Sequence, residues 1–119
     1  AGSTRFIGNV TAKCEFVVPE TLVGFENHSG LTYLENETVP LAKITTGNGN
    51  NGKDKTEGAR FCNVFGTYLH GSFLPKNVHF ADYLISLALE KRYKEKIELS
   101  PLDDEIEAKT HEALVDKKY

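Results

Sequence analysis

His70 stands out among the few side chains in this chain suited to making or breaking a bond. It lies in Gly66-Thr67-Tyr68-Leu69-His70-Gly71, after a short apolar run of Cys62, Val64 and Phe65 that reads as a buried strand. Gly71, Ser72 and Pro75 follow and stop regular structure, so His70 is expected just past a strand end. In open α/β sheets the carboxyl ends of strands are where ligands bind. Histidine is suited to taking and returning a proton near neutral pH, so the pattern points to a general base. The competing reading is a loop histidine that makes only a structural hydrogen bond.

A base needs a nucleophile, and none is evident. A thiol nucleophile of an α/β enzyme stands on a tight strand-to-helix elbow among small residues. Cys14, in Ala12-Lys13-Cys14-Glu15-Phe16, has no neighbouring glycine, and Cys62 sits between Phe61 and Asn63; both read as core or strand cysteines. Ser29 and Ser72 fall in loops without an elbow. His79 and Asp82, three apart on a predicted helix, read as a surface pair.

Several elements must position His70. Arg5 to Val18 reads as one bent strand or two short ones, closed by Pro19-Glu20, and Leu22-Val23-Gly24-Phe25-Glu26 as another strand. The latter runs into the turn-forming Asn27-His28-Ser29-Gly30. Leu31-Thr32-Tyr33-Leu34 and Leu41-Ala42-Lys43-Ile44-Thr45 resume an extended pattern, which suggests an antiparallel patch. Gly47-Asn48-Gly49-Asn50-Asn51-Gly52-Lys53-Asp54 reads as a solvated hairpin tip or a mobile flap. It is no phosphate loop, because Asp54 follows Gly52-Lys53 where Ser or Thr is needed. Counted from Asn48, Lys53 and Ala59 stand where a calcium loop needs glycine and glutamate, which excludes that site too. Asn77 is placed to cap a helix from Val78 to about Arg92, with Phe80, Leu84, Leu87 and Ala88 on its core face. Ser100-Pro101-Leu102-Asp103 opens a last helix with a thin stripe of Leu102, Ile106, Ala113 and Leu114, and His111 falls on its polar side.

The 119 residues suit one domain or part of one, and a chain of this length buries roughly two-thirds of its unfolded surface. A net charge of −3 gives no reason to expect nucleic acid, whose binders usually show a basic face. No apolar run approaches the roughly 20 residues of a membrane span, and no signal peptide is recognisable. Two cysteines make neither a disulfide framework nor a metal site and are expected as free thiols. Asn9-Val10-Thr11, Asn27-His28-Ser29 and Asn36-Glu37-Thr38 are read as incidental sequons. The chain contains no methionine and opens Ala1-Gly2-Ser3, like a tag remnant or a cut site, so a piece of a longer protein is expected.

Gly24-Phe25-Glu26-Asn27-His28, Gly47-Asn48-Gly49-Asn50-Asn51, Glu57-Gly58, Gly66-Thr67-Tyr68-Leu69-His70-Gly71 and Leu74-Pro75-Lys76-Asn77 occur in this order. Together they resemble the C-terminal half of a class I glutamine amidotransferase domain of the cobyric-acid-synthase-like branch. Within that branch the chain resembles the glutaminase subunits of lipid II isoglutaminyl synthases, from about Arg5 to Asp116. The resemblance implies the C-terminal half of a three-layer, flavodoxin-like α/β domain spanning residues 1–119, with a mixed sheet containing an antiparallel region and two C-terminal helices. It implies a Cys–His glutaminase acting on L-glutamine, with His70 as the base and the cysteine in an N-terminal half this sequence does not include. Asn27, His28 and Ser29 match a turn that lines the glutamine pocket. The family turn usually reads His-Gly-Gly-Arg-Thr, where this chain has His28-Ser29-Gly30-Leu31-Thr32, and Ser72 stands where proline often follows. Ser72 also occupies the position where other class I branches carry a glutamate that orients the histidine, which suits a dyad. The resemblance further implies a cytoplasmic protein without metal or cofactor. Its partner would be an ATP-dependent Mur-ligase-like subunit that amidates the D-glutamate of lipid II. A half domain would associate with its missing half or with itself. The alternatives are the amidotransferase part of a cobyric acid synthase and a non-catalytic binding module.

Overall fold

The computed structural model describes residues 3–117; Ala1 and Gly2 of the expected remnant lie outside the described residues. Nine elements follow one another: β1 (Phe6–Lys13), β2 (Thr21–His28), β3 (Ala42–Thr46), β4 (Thr56–Glu57), β5 (Ala59–Phe61), β6 (Val64–Gly66), α1 (Phe73–Lys76), α2 (Val78–Tyr93) and α3 (Glu105–Asp116). Strands β2-β1-β3-β4 form one sheet in that order, and β5-β6 form a separate hairpin. Each strand pairing is antiparallel, so the expected mixed sheet is not found among the described residues. A short α1 precedes the two helices that were expected.

The long β1–β2 ladder runs from Phe6↔His28 to Lys13↔Thr21. Because strand side chains alternate faces, Phe6, Gly8, Val10 and Ala12 share one face with His28, Glu26, Gly24 and Leu22. Ile7, Asn9 and Thr11 share the other with Asn27, Phe25 and Val23. The first face meets the core, where Val10, Ala12, Cys14, Leu22, Leu41, Leu69 and Phe80 are buried together. Phe16, Phe65 and Tyr83 pack around Phe80 with ring centroids 5.8–6.3 Å from its own. Burying one such aromatic side chain contributes about 2–3 kcal/mol, and the stripe predicted on α2 supplies it through Phe80.

Several expectations are corrected. The Cys62–Phe65 run is not a buried strand: Cys62 is exposed in the β5–β6 turn at φ 52°, and Val64 is exposed too. A two-stranded hairpin has no sheet above it to bury those side chains. Cys14 is buried and both thiols are free, as the composition indicated. Residues 31–34 form no strand. Asn77 precedes α2 but does not cap it with its side chain. Its carboxamide accepts the Val23 N–H (2.8 Å) and donates to the carbonyls of Val23 (2.7 Å) and Phe73 (2.8 Å), as a neighbouring strand would. α3 starts at Glu105 rather than at the Ser100-Pro101 box, after Asp104. His111 is buried rather than on a polar surface, and bonds Thr21 Oγ1 (2.6 Å) and the Lys76 carbonyl (2.7 Å). His79 does not stand in a surface pair: its Nε2–H donates to the Thr21 carbonyl at 2.6 Å.

Candidate active site

The segment after β6 returns along the free edge of β2. His70 and Phe25 exchange two backbone hydrogen bonds, N–H to carbonyl at 3.0 and 3.2 Å, so His70 sits as a bridging residue on that edge. Gly24 permits this approach, since a Cβ there would come within 2.9 Å of Leu69 Cβ. Leu69 therefore points to the core face and is buried, while His70 points to the opposite face beside Phe25, ring centroids 5.8 Å apart and edge-on. The His70 side chain is exposed, and among the described residues its imidazole receives and makes no hydrogen bond. The backbone is pinned while the ring is left for another group.

The other predicted site residues divide between the two faces. Asn27 shares the His70 face, two residues along from Phe25, and is exposed; its Oδ1 accepts from Arg5 Nη1 at 2.9 Å. His28 lies on the core face and is buried, so its ring is separated by the sheet from His70. Its Nδ1–H donates to the Gly30 carbonyl (3.0 Å), and its ring stacks on Tyr68 with centroids 3.7 Å apart and planes 7° off parallel. Nε2 of His28 is buried without a hydrogen-bond partner among the described residues, 3.5 Å from Glu26 Oε2. Ser29 is half-buried and leads into the turn.

Beneath the His70 segment lies a polar layer that spacing did not reveal. Glu26 is buried, and its carboxylate accepts the backbone N–H groups of Asn48 and Gly49, both at 2.9 Å, and the Asn48 carboxamide at 3.0 Å. Glu57 is fully buried; it accepts the Tyr68 N–H at 2.7 Å and the Thr67 hydroxyl at 2.9 Å. Burial pushes the Glu57 carboxyl above its usual range, its two hydrogen bonds oppose that rise, and Glu26 adds a repulsive contribution. Asn50 ties the layer together by donating to the Gly58 carbonyl (2.9 Å) and accepting the Gly58 N–H (2.8 Å). The loop expected as a solvated tip is therefore held by buried side chains. The signals were present in Glu26 and in Glu57-Gly58, but an acid in a polar stretch reads as surface until something is seen to pack on it.

A cavity of about 190 Å³ borders this layer at Thr32, Asn50, Gly66, Thr67 and Tyr68, and His70 is not among the residues that line it. Among the described residues no group of three or more His, Cys, Asp or Glu side chains is arranged to hold a metal ion. Cys14 is buried in the core, where burial pushes its thiol above the usual range, and Cys62 is exposed in the β5–β6 turn. Neither thiol is placed as a partner for His70. No helix of the described residues is long and apolar enough to cross a membrane.

Residues 1–78 match the CobB/CobQ-like glutamine amidotransferase domain. The chain is similar to the GatD subunit of lipid II isoglutaminyl synthase (glutamine-hydrolyzing) from Streptococcus pneumoniae, with 39% identity over 98% of this chain and 44% of the relative. The corresponding Staphylococcus aureus subunit is 44% identical over 82% of the chain and 39% of its own length. A probable cobyric acid synthase from Methanothermobacter thermautotrophicus is 38% identical over 75% of the chain and 17% of the relative. The chain thus spans less than half the length of the curated relatives it matches.

Proposed function

This chain belongs to the CobB/CobQ-like glutamine amidotransferase family, and on that premise we propose that residues 1–119 are the C-terminal part of one such domain with His70 as its general base. The observation that carries the reading is the His70 imidazole: exposed and free of hydrogen bonds among the described residues, on a backbone fixed by two bonds to Phe25. A catalytic base needs that combination of fixed position and open ring nitrogens.

The nucleophile is a cysteine thiol in the remaining part of the three-layer domain, which sits against the face bearing His70, Phe25, Asn27 and the exposed Ile7. His70 takes the thiol proton as sulfur attacks the side-chain amide carbon of L-glutamine. The imidazolium then returns that proton to the amide nitrogen, the carbon–nitrogen bond breaks, and ammonia departs, leaving a thioester. Water attacks the thioester, releasing glutamate and restoring the thiol. Asn27, His28 and Ser29 shape the glutamine pocket, with His28 acting through backbone groups because its ring is buried on the core face. The ammonia passes to an ATP-dependent Mur-ligase-like partner that amidates the D-glutamate of lipid II in the cytoplasm; the GatD similarity over 98% of the chain supports this acceptor. The 38% identity to a probable cobyric acid synthase favours a corrinoid acceptor as the second reading. Co-purification with a Mur-ligase-like protein separates the two.

The test is glutamate release by the full-length protein carrying this chain. His70→Ala is expected to lower turnover by about 10²–10⁴-fold, the usual contribution of a general base. Wild-type turnover in that variant would overturn the assignment of His70 as the base.

A further inference from the structure

We propose that Glu57 is a positioning residue for the base, acting through Thr67 and Tyr68 to fix the segment that presents His70. The inference rests on the reading of His70 as the base.

Glu57 cannot touch substrate, because its side chain is fully buried. Its two carboxylate oxygens are each used once: Oε1 by the Tyr68 N–H and Oε2 by the Thr67 hydroxyl. The direction of the second bond is settled by a third. Thr67 Oγ1 also accepts the Leu69 N–H at 3.0 Å, so its single proton is directed at Glu57. Residues 67, 68 and 69 are thereby tied to one carboxylate, directly or through one hydroxyl, and His70 is the next residue. Tyr68 is held again from its side chain, by the His28 stack and by its hydroxyl 2.7 Å from Thr32 Oγ1. Leu69 is held by its close seat on Gly24.

The anchor is costly in isolation. A buried carboxylate is unfavourable unless paired, and among the described residues Glu57 accepts only neutral donors, with a second buried carboxylate, Glu26, near enough to raise its proton affinity. β4 does not need this side chain, since its pairing with β3 uses backbone groups. What the carboxylate supplies is two charge-assisted hydrogen bonds to consecutive residues, which are shorter and stronger than neutral ones. Catalysis is sensitive to such placement: a shift of about 1 Å in a reacting group can cost roughly 10²-fold in rate.

The experiment measures glutamine hydrolysis by the full-length protein in Glu57→Gln, Thr67→Val and Thr67→Ser, beside His70→Ala. An amide at position 57 turns an N–H₂ toward one of the two donors, and kcat is expected to fall about 10–100-fold. KM for glutamine should stay within about threefold, since uniform binding is untouched. Thr67 is exposed, so Thr67→Val removes the relay hydroxyl without opening a cavity in the core. It should lower kcat about tenfold, and Thr67→Ser, which restores the hydroxyl, should recover most of that loss. Should Glu57→Gln fail to fold, the valine–serine pair decides alone. Wild-type kcat in Thr67→Val, or equal losses in Thr67→Val and Thr67→Ser, with His70→Ala inactive, would overturn the positioning role and leave the base assignment standing. Full activity in His70→Ala would overturn both.

Discussion

Between β3 and β5 the chain has almost no regular backbone, yet Asn50 and Asn51 are 1% and 3% exposed, and their carboxamides bond Gly58, Thr56, Thr32 and Asp54. Helix α3 has a regular backbone over 12 residues, yet its Ile106 is 78% exposed and only His111 among its residues is buried. The loop is fixed by side-chain amides that satisfy buried backbone groups, and Gly49 allows its path, at φ +76° where a Cβ would meet the Thr56 carbonyl. The helix satisfies its own backbone and depends on one imidazole for its hold on Thr21 and Lys76. Regular hydrogen bonding and rigid attachment are therefore separate properties, and here the irregular segment carries more of the second.

Breaking the loop should have the larger effect. Asn50→Ala leaves both the N–H and the carbonyl of Gly58 without their buried partner, at about 1–3 kcal/mol each. A loss of about 3 kcal/mol in denaturant unfolding is expected, and a loss below about 1 kcal/mol would show that the loop is not held as described. The helix should respond less. His111→Ala removes two hydrogen bonds and should cost about 1–2 kcal/mol, seen as faster amide exchange confined to α3. Ile106→Ser, at a side chain that touches little, should change stability by less than about 0.5 kcal/mol. Equal losses in these two helix variants would contradict the single-anchor account.

The smallest expected effect is on pH dependence, where His79 on α2 and Glu57 beside the loop act with opposite signs. Burial is the main cause holding His79 below its ordinary value of 6.5; the adjoining His111 adds to it, while the bond to Thr21 and the charge of Asp82 oppose it. Below pH 6.5 the unfolded chain takes up a proton that the folded chain does not, so this contribution to stability is lost as pH falls. Glu57 has the opposite sense: its raised value makes the folded chain protonate first, and its contribution is lost as pH rises through that value. Urea midpoints from neutral to mildly acidic pH should therefore fall less in His79→Gln than in the parent, and more in Glu57→Gln. Identical slopes in the three proteins would remove both assignments.

Much of the candidate site was legible because it is local. Glycines on either side of His70, the apolar pattern of β2 and the helical run from Val78 are read within a few residues, and the structure places that strand and that helix close to those bounds, with Phe80 alone of the α2 stripe buried. The His79, His111 and Glu57 contacts were not legible, because a polar side chain in a polar stretch gives no sign of what covers it. Cys62 failed in the other direction: an apolar run suggests burial, but a hairpin with nothing packed on that side leaves it in solvent.

The sequence alone determined the family, the identity of the histidine at the strand edge and the periodic elements around it, since each is written in neighbouring residues. The tertiary structure decided which polar groups are buried and which partner each finds, because those bonds join distant positions: Glu26 to Asn48 across 22 residues, Asn77 to Val23 across 54, His111 to Thr21 across 90. A buried charge or amide takes its meaning from the donors and acceptors that the fold brings to it, and no spacing along the chain specifies them.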